Sequence, residues 1–333
     1  MSKLNESITI KNIKLSNRLV MPPMATAKSN EKGEISQALC DYYSTKSKEG
    51  YIGLIIVEHS YINQEGIANK GQISISKDSD IDGLKKLVAS VHSNGSKVIA
   101  QINHAGGAAK KEITGCEILS ASPIPLPRAD GSDTVPKEMT QEDINKVISD
   151  FAQAARRAKE AGFDGVEIHS AHGYLLNQFY SPLNNKRTDP YSGSSIEGRI
   201  KIHLEVIKAV KEAVGPDYLV ALRLGASDYR EGGTTIEDSI QAAIAFEKAG
   251  IDLLDISGGF CGFTNPNLTE QGYFSELTEK VKKNINIPVM LTGGIVEGEV
   301  ANKLLTEGKA DLIGVGRAIL KNDEWAKNAI LNK

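Results

Sequence analysis

Short apolar, β-branched runs alternate with longer amphipathic stretches along the whole chain. The runs at 18–25, 54–60, 97–106, 165–173, 218–226, 252–259, 288–294 and 311–318 read as strands. Between them, residues 35–50, 79–95 and 234–250 read as helices that end in glycine, a frequent helix stop. Thr140 is placed to cap a helix that runs to Gly162. The count is eight strands, seven intervening helices and a last helix around 322–331. Eight such units predict an α/β chain folded as a single (β/α)8 TIM barrel over residues 1–333. A doubly wound sheet competes, but its dinucleotide-binding forms carry GxGxxG after the first strand, and here that strand runs into MPPMAT. Residues 107–138, rich in Pro, Ser and Asp, are too long for an ordinary connection. They predict a lid-like excursion at the barrel mouth, or a disordered one.

Side chains alternate faces along a strand. Val98, Ala100 and Ile102 share one face of their strand; Ile99, Gln101 and Asn103 share the other. The same split sets Val166 and Ile168 against Glu167 and His169, Val220, Leu222 and Leu224 against Ala221, Arg223 and Gly225, and Leu254 and Ile256 against Asp255 and Ser257. One face is aliphatic and suits packing against helices. The other turns polar toward the C-terminal end, where barrel active sites form. Gln101, His169, Arg223 and Ser257 are therefore expected to face one pocket.

The last two strands close with Gly293, Gly294 and with Gly314, Gly316, Arg317. Loops in those places often bind phosphate through backbone N–H groups, and Arg317 adds a charged contact. Strand four ends in HSAHGY, which holds His169, His172 and Tyr174. No carboxylate or Cys completes a metal set beside the two imidazoles. No GxSxG elbow precedes a helix, and no Lys ends a strand as a Schiff-base aldolase requires. Two imidazoles and a phenol beside Gln and Arg suit hydrogen bonding to a carbonyl and to a planar heterocycle.

Composition narrows the class further. With 40% hydrophobic and 24% charged residues the chain is neither disordered nor a coiled coil. A net charge of −3 offers no basic excess for nucleic acid or an anionic membrane. Cys40, Cys116 and Cys261 are widely spaced and odd in number, so they read as free thiols. The N-terminus lacks the apolar run of a signal peptide, and no stretch suits a membrane span. The expected setting is cytoplasmic and the expected partner a small molecule; a homo-oligomer stays open.

The sequence resembles the old yellow enzyme family, the FMN-dependent NAD(P)H ene-reductases, over about residues 4–330. The resemblance rests on HSAHGYLLNQFYSPLNNKRTDPYSGSSIEGR at 169–199, with MPPMAT, VEHS, AQINHAG, ALRLGASDY and GVGRAIL in the family's order. It points to the short single-barrel branch, without the iron–sulfur cysteines of longer relatives. It implies FMN as cofactor and NADH or NADPH as reductant. Pro22, Pro23, Met24 and Ala25 would lie against the flavin, with His59 nearby. Gln101 would bond its pyrimidine edge and Arg223 would sit where reduced flavin is negative. Gly293, Gly294, Gly316 and Arg317 would hold the phosphate. His169 and His172 would grip a substrate carbonyl, and Tyr174 would protonate the α-carbon after hydride reaches the β-carbon, in ping-pong turnover. Relatives often carry Cys or Thr at Ala25, a small residue at His59, Tyr at Ala27 and Arg at Gly107, so free flavin, oxygen or a quinone enter as candidate acceptors. Two other readings remain: a barrel lyase or isomerase that uses the same glycines for a phosphorylated metabolite, and a flavin-binding carrier without turnover.

Overall fold

The protein is described by a computed structural model covering residues 2–126 and 134–331. Twelve strands occur among these residues: β1 Ile8–Ile10, β2 Ile13–Leu15, β3 Leu19–Met21, β4 Leu54–Tyr61, β5 Lys97–Asn103, β6 Leu119–Ser120, β7 Lys137–Glu138, β8 Gly165–Ser170, β9 Leu219–Gly225, β10 Leu253–Ser257, β11 Val289–Thr292 and β12 Leu312–Gly314. Eight of them, β3, β4, β5, β8, β9, β10, β11 and β12, close in that order into a parallel barrel. Seven of them fall within the runs read as strands from the sequence, and β4 overruns its run by Tyr61. The helices are α1 Gln37–Ser47, α2 Ile81–His92, α3 Lys111–Thr114, α4 Gln141–Glu160, α5 Leu175–Tyr180, α6 Ile196–Val214, α7 Ile236–Ala249, α8 Ser275–Lys282, α9 Gly298–Thr306, α10 Arg317–Lys321 and α11 Trp325–Leu331. Thr140 caps α4: its side chain accepts from the Asp143 N–H while Asp143 reaches back. Gly250 stops α7 with φ of 104°, a left-handed conformation that costs glycine nothing.

Two apolar layers follow from strand alternation. Val98, Ala100, Ile102, Val166, Ile168, Val220, Leu222, Leu224, Leu254 and Ile256 point outward into one core shared with the helices. Ile99, Ala221, Leu253, Met290 and Leu312 point inward and form a second cluster inside the barrel. The β1–β2 hairpin, which the strand pattern did not reveal, completes that inner cluster. Its Ile10 and Leu15 are buried against Val20, Leu54 and Ile56. The hairpin turns tightly at Lys11, which has φ of 57°. Lys11 Nζ then donates to Asp252 at the foot of β10, 2.9 Å away. The hairpin thus seals the lower end, which leaves the C-terminal strand ends as the route to the interior.

Segment 107–138 is folded where it is described; residues 127–133 lie outside the described residues. β6 pairs in parallel with β7. Ser120 Oγ donates to Gln178 Oε1 at 3.0 Å, and Arg187 Nη1 donates to the Ala121 and Met139 carbonyls. Ala109 and Ile118 pack with Ala68, Ala105 and Tyr174. The segment therefore forms one wall beside Tyr174.

If the hairpin plugs the barrel, Leu15→Ala should lower the unfolding free energy by about 2–5 kcal/mol, the range for a buried leucine. Chemical denaturation monitored by circular dichroism would read this. A loss below about 0.5 kcal/mol would mean the hairpin is a surface ornament.

Candidate active site

One layer above the apolar plug, four polar side chains point into the barrel. They are Gln101 on β5, Glu167 on β8, Arg223 on β9 and Asp255 on β10, each at most 4% exposed. Gln101 Nε2 donates to Glu167 Oε1 at 2.8 Å. Arg223 Nε lies 3.0 Å from Asp255 Oδ2. Two carboxyl groups thus share one guanidinium away from water, and both cannot keep their charge cheaply. Burial, helped by the Asp255 charge, pushes the Glu167 pKa up to about 8. Burial pushes Asp255 up to about 6 against the pull of Arg223. Near neutral pH Glu167 holds its proton, while Asp255 and Arg223 form the ion pair. Side-chain parity had put Glu167 and Asp255 on the inner face without a role. Two acids in the same inward column as a Gln and an Arg were the signal available.

The histidines stand above this layer. His169 is the register neighbour of Arg223. His172 follows in a tight turn, with φ of 59° at His172 and 74° at Gly173. Its Nε2 lies 2.8 Å from Ser257 Oγ. The His169 and His172 ring centroids are 5.3 Å apart, and Tyr174 lies 5.2 Å from His169. Of the four strand-tip residues expected to converge, His169 and Ser257 stand around His172 here, while Gln101 and Arg223 lie in the polar layer beneath. Residues on α5 pin the turn. Asn177 Oδ1 accepts from the Gly173 N–H, and Gln178 Nε2 donates to the Gly173 and Ala105 carbonyls while its Oε1 accepts from the Gly107 N–H. Sequence reading had not singled out Gln178; a buried amide is found only by asking where these loop groups find partners.

His59 reaches the same mouth through an irregularity. The β4–β5 register shifts between Val57 and Ser60. Such a bulge re-aims the side chains beside it. The His59 ring lies 5.4 Å from Tyr174 and 6.4 Å from His169. Its neighbour Glu58 is buried and holds the loop after β3, accepting from the Thr26 N–H and hydroxyl at 2.5 and 2.6 Å. That loop carries Pro22, Pro23, Met24 and Ala25. Met24 and Pro22 stand against Gly316, where a Cβ would come within 2.9 Å of the Met24 sulfur.

Burial first, then the Arg223 charge, lowers His59 to about 4. Burial also drives His169 and His172 well below the usual imidazole value, with His172 adding to it for His169 and with Arg223 and His59 adding to it for both. Burial alone raises the Tyr174 phenol. At neutral pH the mouth therefore presents three neutral imidazoles and a protonated phenol.

The far end of the mouth is built from Gly293, Gly294 and Arg317. Gly294 has φ of 66°, and the Tyr273 ring fills the space a Cβ would need at both glycines. Arg317 Nη2 donates to the Tyr273 hydroxyl at 3.3 Å. That hydroxyl donates to the Phe263 carbonyl at 2.6 Å. Among the described residues Arg317 has no carboxylate partner, and its exposed guanidinium reaches the tyrosine that packs on the glycine cradle. This donor set fits a flavin mononucleotide. The cradle and Arg317 suit its phosphate, the buried Nδ1 of His169 lacks a protein partner, and the Gln101–Arg223 side suits a polar ring edge. Among the described residues no cluster of His, Cys, Asp or Glu suits a metal ion, and no helix is long and apolar enough to cross a membrane.

The polar layer sets a pH dependence. Glu167 ionises at about 8 in the folded chain but near its ordinary value when unfolded. Between roughly pH 4.5 and 8 the folded state binds the extra proton, so this group makes stability fall as pH rises. Glu167→Gln should remove that slope. Its stability relative to wild type, from denaturant titrations of the flavin-free protein, should improve steadily from pH 4.5 to 8. A pH-independent difference would place Glu167 in an ordinary carboxylate environment.

Residues 3–332 match the family described as NADH:flavin oxidoreductase / NADH oxidase. The chain is 42% identical over 326 residues to an NADH oxidase of Thermoanaerobacter brockii, covering 96% of this chain and 49% of that protein, about half its length. It is 39% identical over 329 residues to an NADPH dehydrogenase of Bacillus subtilis, covering 98% of this chain and 94% of the relative. The solved old yellow enzyme homologue of Zymomonas mobilis superposes with a TM-score of 0.87 at 25% identity, covering 99% of this chain and 92% of that one. A closed parallel barrel with a polar mouth, matched over nearly its whole length by these sequences, makes this chain a member of the NADH:flavin oxidoreductase / NADH oxidase family, the old yellow enzyme group that pairs FMN with NAD(P)H.

Proposed function

We propose that the chain takes hydride from NAD(P)H through FMN and reduces the C=C bond of α,β-unsaturated carbonyl compounds. The observation that carries this reading is the convergence of two neutral imidazoles and a protonated phenol, His169, His172 and Tyr174, above a buried guanidinium. Bound FMN supplies two-electron hydride transfer between the nicotinamide and the β-carbon. The chain's own residues do the rest. Gly293, Gly294, Gly316 and Arg317 hold the cofactor phosphate, and Pro22, Pro23, Met24 and Ala25 line the ring. Gln101 and Arg223 meet its polar edge.

His169 and His172 bind the substrate carbonyl oxygen. Each neutral imidazole has one N–H to give, and enolate charge growing on the oxygen meets donors already in place. Tyr174 gives its proton to the α-carbon. Hydride and proton together saturate the double bond, so atoms and charge balance. The raised phenol pKa keeps that proton available across the neutral range. Reductant and acceptor use the same clamp in turn, which gives ping-pong kinetics. Phe263, edge-on to His172 at 6.4 Å, stands beside the clamp on the loop after β10. That loop is rooted by Asp228, whose carboxylate accepts from the Phe260 N–H, the Thr234 N–H and the Ser181 hydroxyl.

Two measurements test this. Tyr174→Phe should slow enone reduction roughly 10²-fold or more, the scale of a lost general acid, while anaerobic flavin reduction by NAD(P)H changes only a few-fold. Stopped-flow absorbance separates the half-reactions, and equal slowing of both would remove Tyr174 from the proton-donor role. Arg317→Ala should weaken FMN binding about tenfold or more, the scale of a charged hydrogen bond. Fluorescence titration of the flavin-free protein reads it, and unchanged affinity would move the phosphate elsewhere.

A further inference from the structure

The amide of Gln72 fixes the proton of an imidazole that the reaction above does not use. Gln72 lies on the loop after β4 and is 5% exposed. Its Oε1 accepts from the Ala68 backbone N–H at 2.8 Å. A backbone N–H can only donate, so the other end of the amide is the nitrogen. That nitrogen stands 2.7 Å from His59 Nδ1 and 3.1 Å from the His59 carbonyl. Its two hydrogens serve those two acceptors. Nδ1 must then accept, and in a neutral imidazole the ring proton sits on Nε2. His59 is half-buried, and its Nε2 has no partner among the described residues. The ring stands 5.4 Å from Tyr174 and 6.4 Å from His169, whose other imidazole neighbour, His172, is bound to Ser257.

We propose that His59, held by Gln72 as the Nε2–H tautomer, is a specificity-determining donor that takes a second acceptor oxygen on the substrate. The favoured acceptors are conjugated enediones, with one carbonyl on His169 and His172 and the other on His59. This rests on the reading of the mouth as a site for unsaturated carbonyls. The physical reason is asymmetric. An N–H covered by a hydrocarbon ring loses its water and gains nothing, while one that meets a carbonyl is satisfied. A site that carries a donor therefore discriminates against the analogue that lacks the oxygen. The reduction itself is unchanged: hydride to one alkene carbon, the Tyr174 proton to the other.

The test uses the FMN-loaded enzyme and two six-membered ring substrates that differ by one oxygen, cyclohex-2-ene-1,4-dione and cyclohex-2-enone. The quantity is the ratio of their kcat/KM values, compared with the wild-type ratio so that intrinsic reactivity cancels. His59→Ala should lower that ratio about tenfold, and so should His59→Phe, which fills the space without an N–H. Cyclohexane-1,4-dione, which cannot be reduced in this way, should lose affinity in both variants relative to cyclohexanone, read by the flavin absorbance shift. Nitrogen-15 spectra of the protein labelled at histidine should show His59 protonated at Nε2 and bare at Nδ1 at pH 7. A ratio within twofold of wild type, retention of the ratio in His59→Phe, or a proton on Nδ1 would each overturn the proposal. Equal losses on both substrates with altered flavin affinity would overturn it too, by placing the N–H on the cofactor. Failure of the wild type to reduce either compound would instead remove the underlying reading.

Discussion

A closed parallel barrel has no solvent inside, and every second side chain of every strand must go there. What enters that column decides the rest of this molecule. The lower part is apolar: Ile10, Leu15, Ile99, Leu253 and Met290 fill it and the hairpin caps it. The next level is Gln101, Glu167, Arg223 and Asp255. These groups are tolerable because Gln101 bonds Glu167, Arg223 offsets the Asp255 charge, and Glu167 gives up its own. The result is a rigid polar floor with one buried cation.

The floor governs the rings above it. A guanidinium fixed under the mouth disfavours any further positive charge there, and burial works in the same direction. His59, His169 and His172 are therefore neutral donors rather than imidazolium ions. Neutral donors bind a carbonyl without protonating it, and they favour the charge that develops only as the reaction proceeds. The same environment keeps the Tyr174 proton in place.

Position depends on buried groups from distant parts of the chain. Glu58 holds the loop after β3. Gln178 joins the loops after β5 and β8. Asp228 joins those after β8, β9 and β10. Each satisfies loop N–H or O–H groups that would be costly to bury alone. The mouth is thus built from loops held by few, specific bonds.

Much of this was legible in the sequence because strand alternation is a local property. Short apolar runs identified all eight barrel strands, and two-residue periodicity sent Gln101, His169, Arg223 and Ser257 inward. Glycine and arginine at the last two strand ends marked the far side of the mouth. The hairpin was not legible, since each of its strands offers only two apolar residues split by a polar one; they are strands because the barrel end needs covering. Nor was the direction of His59, because one irregularity in β4 overrides the alternation that would have turned it outward. The proton on Glu167 and the tautomer of His59 were out of reach for the same reason. Both depend on which partner stands opposite and how far water is excluded, and those are set by strand register and loop contact across the fold rather than by neighbours along the chain.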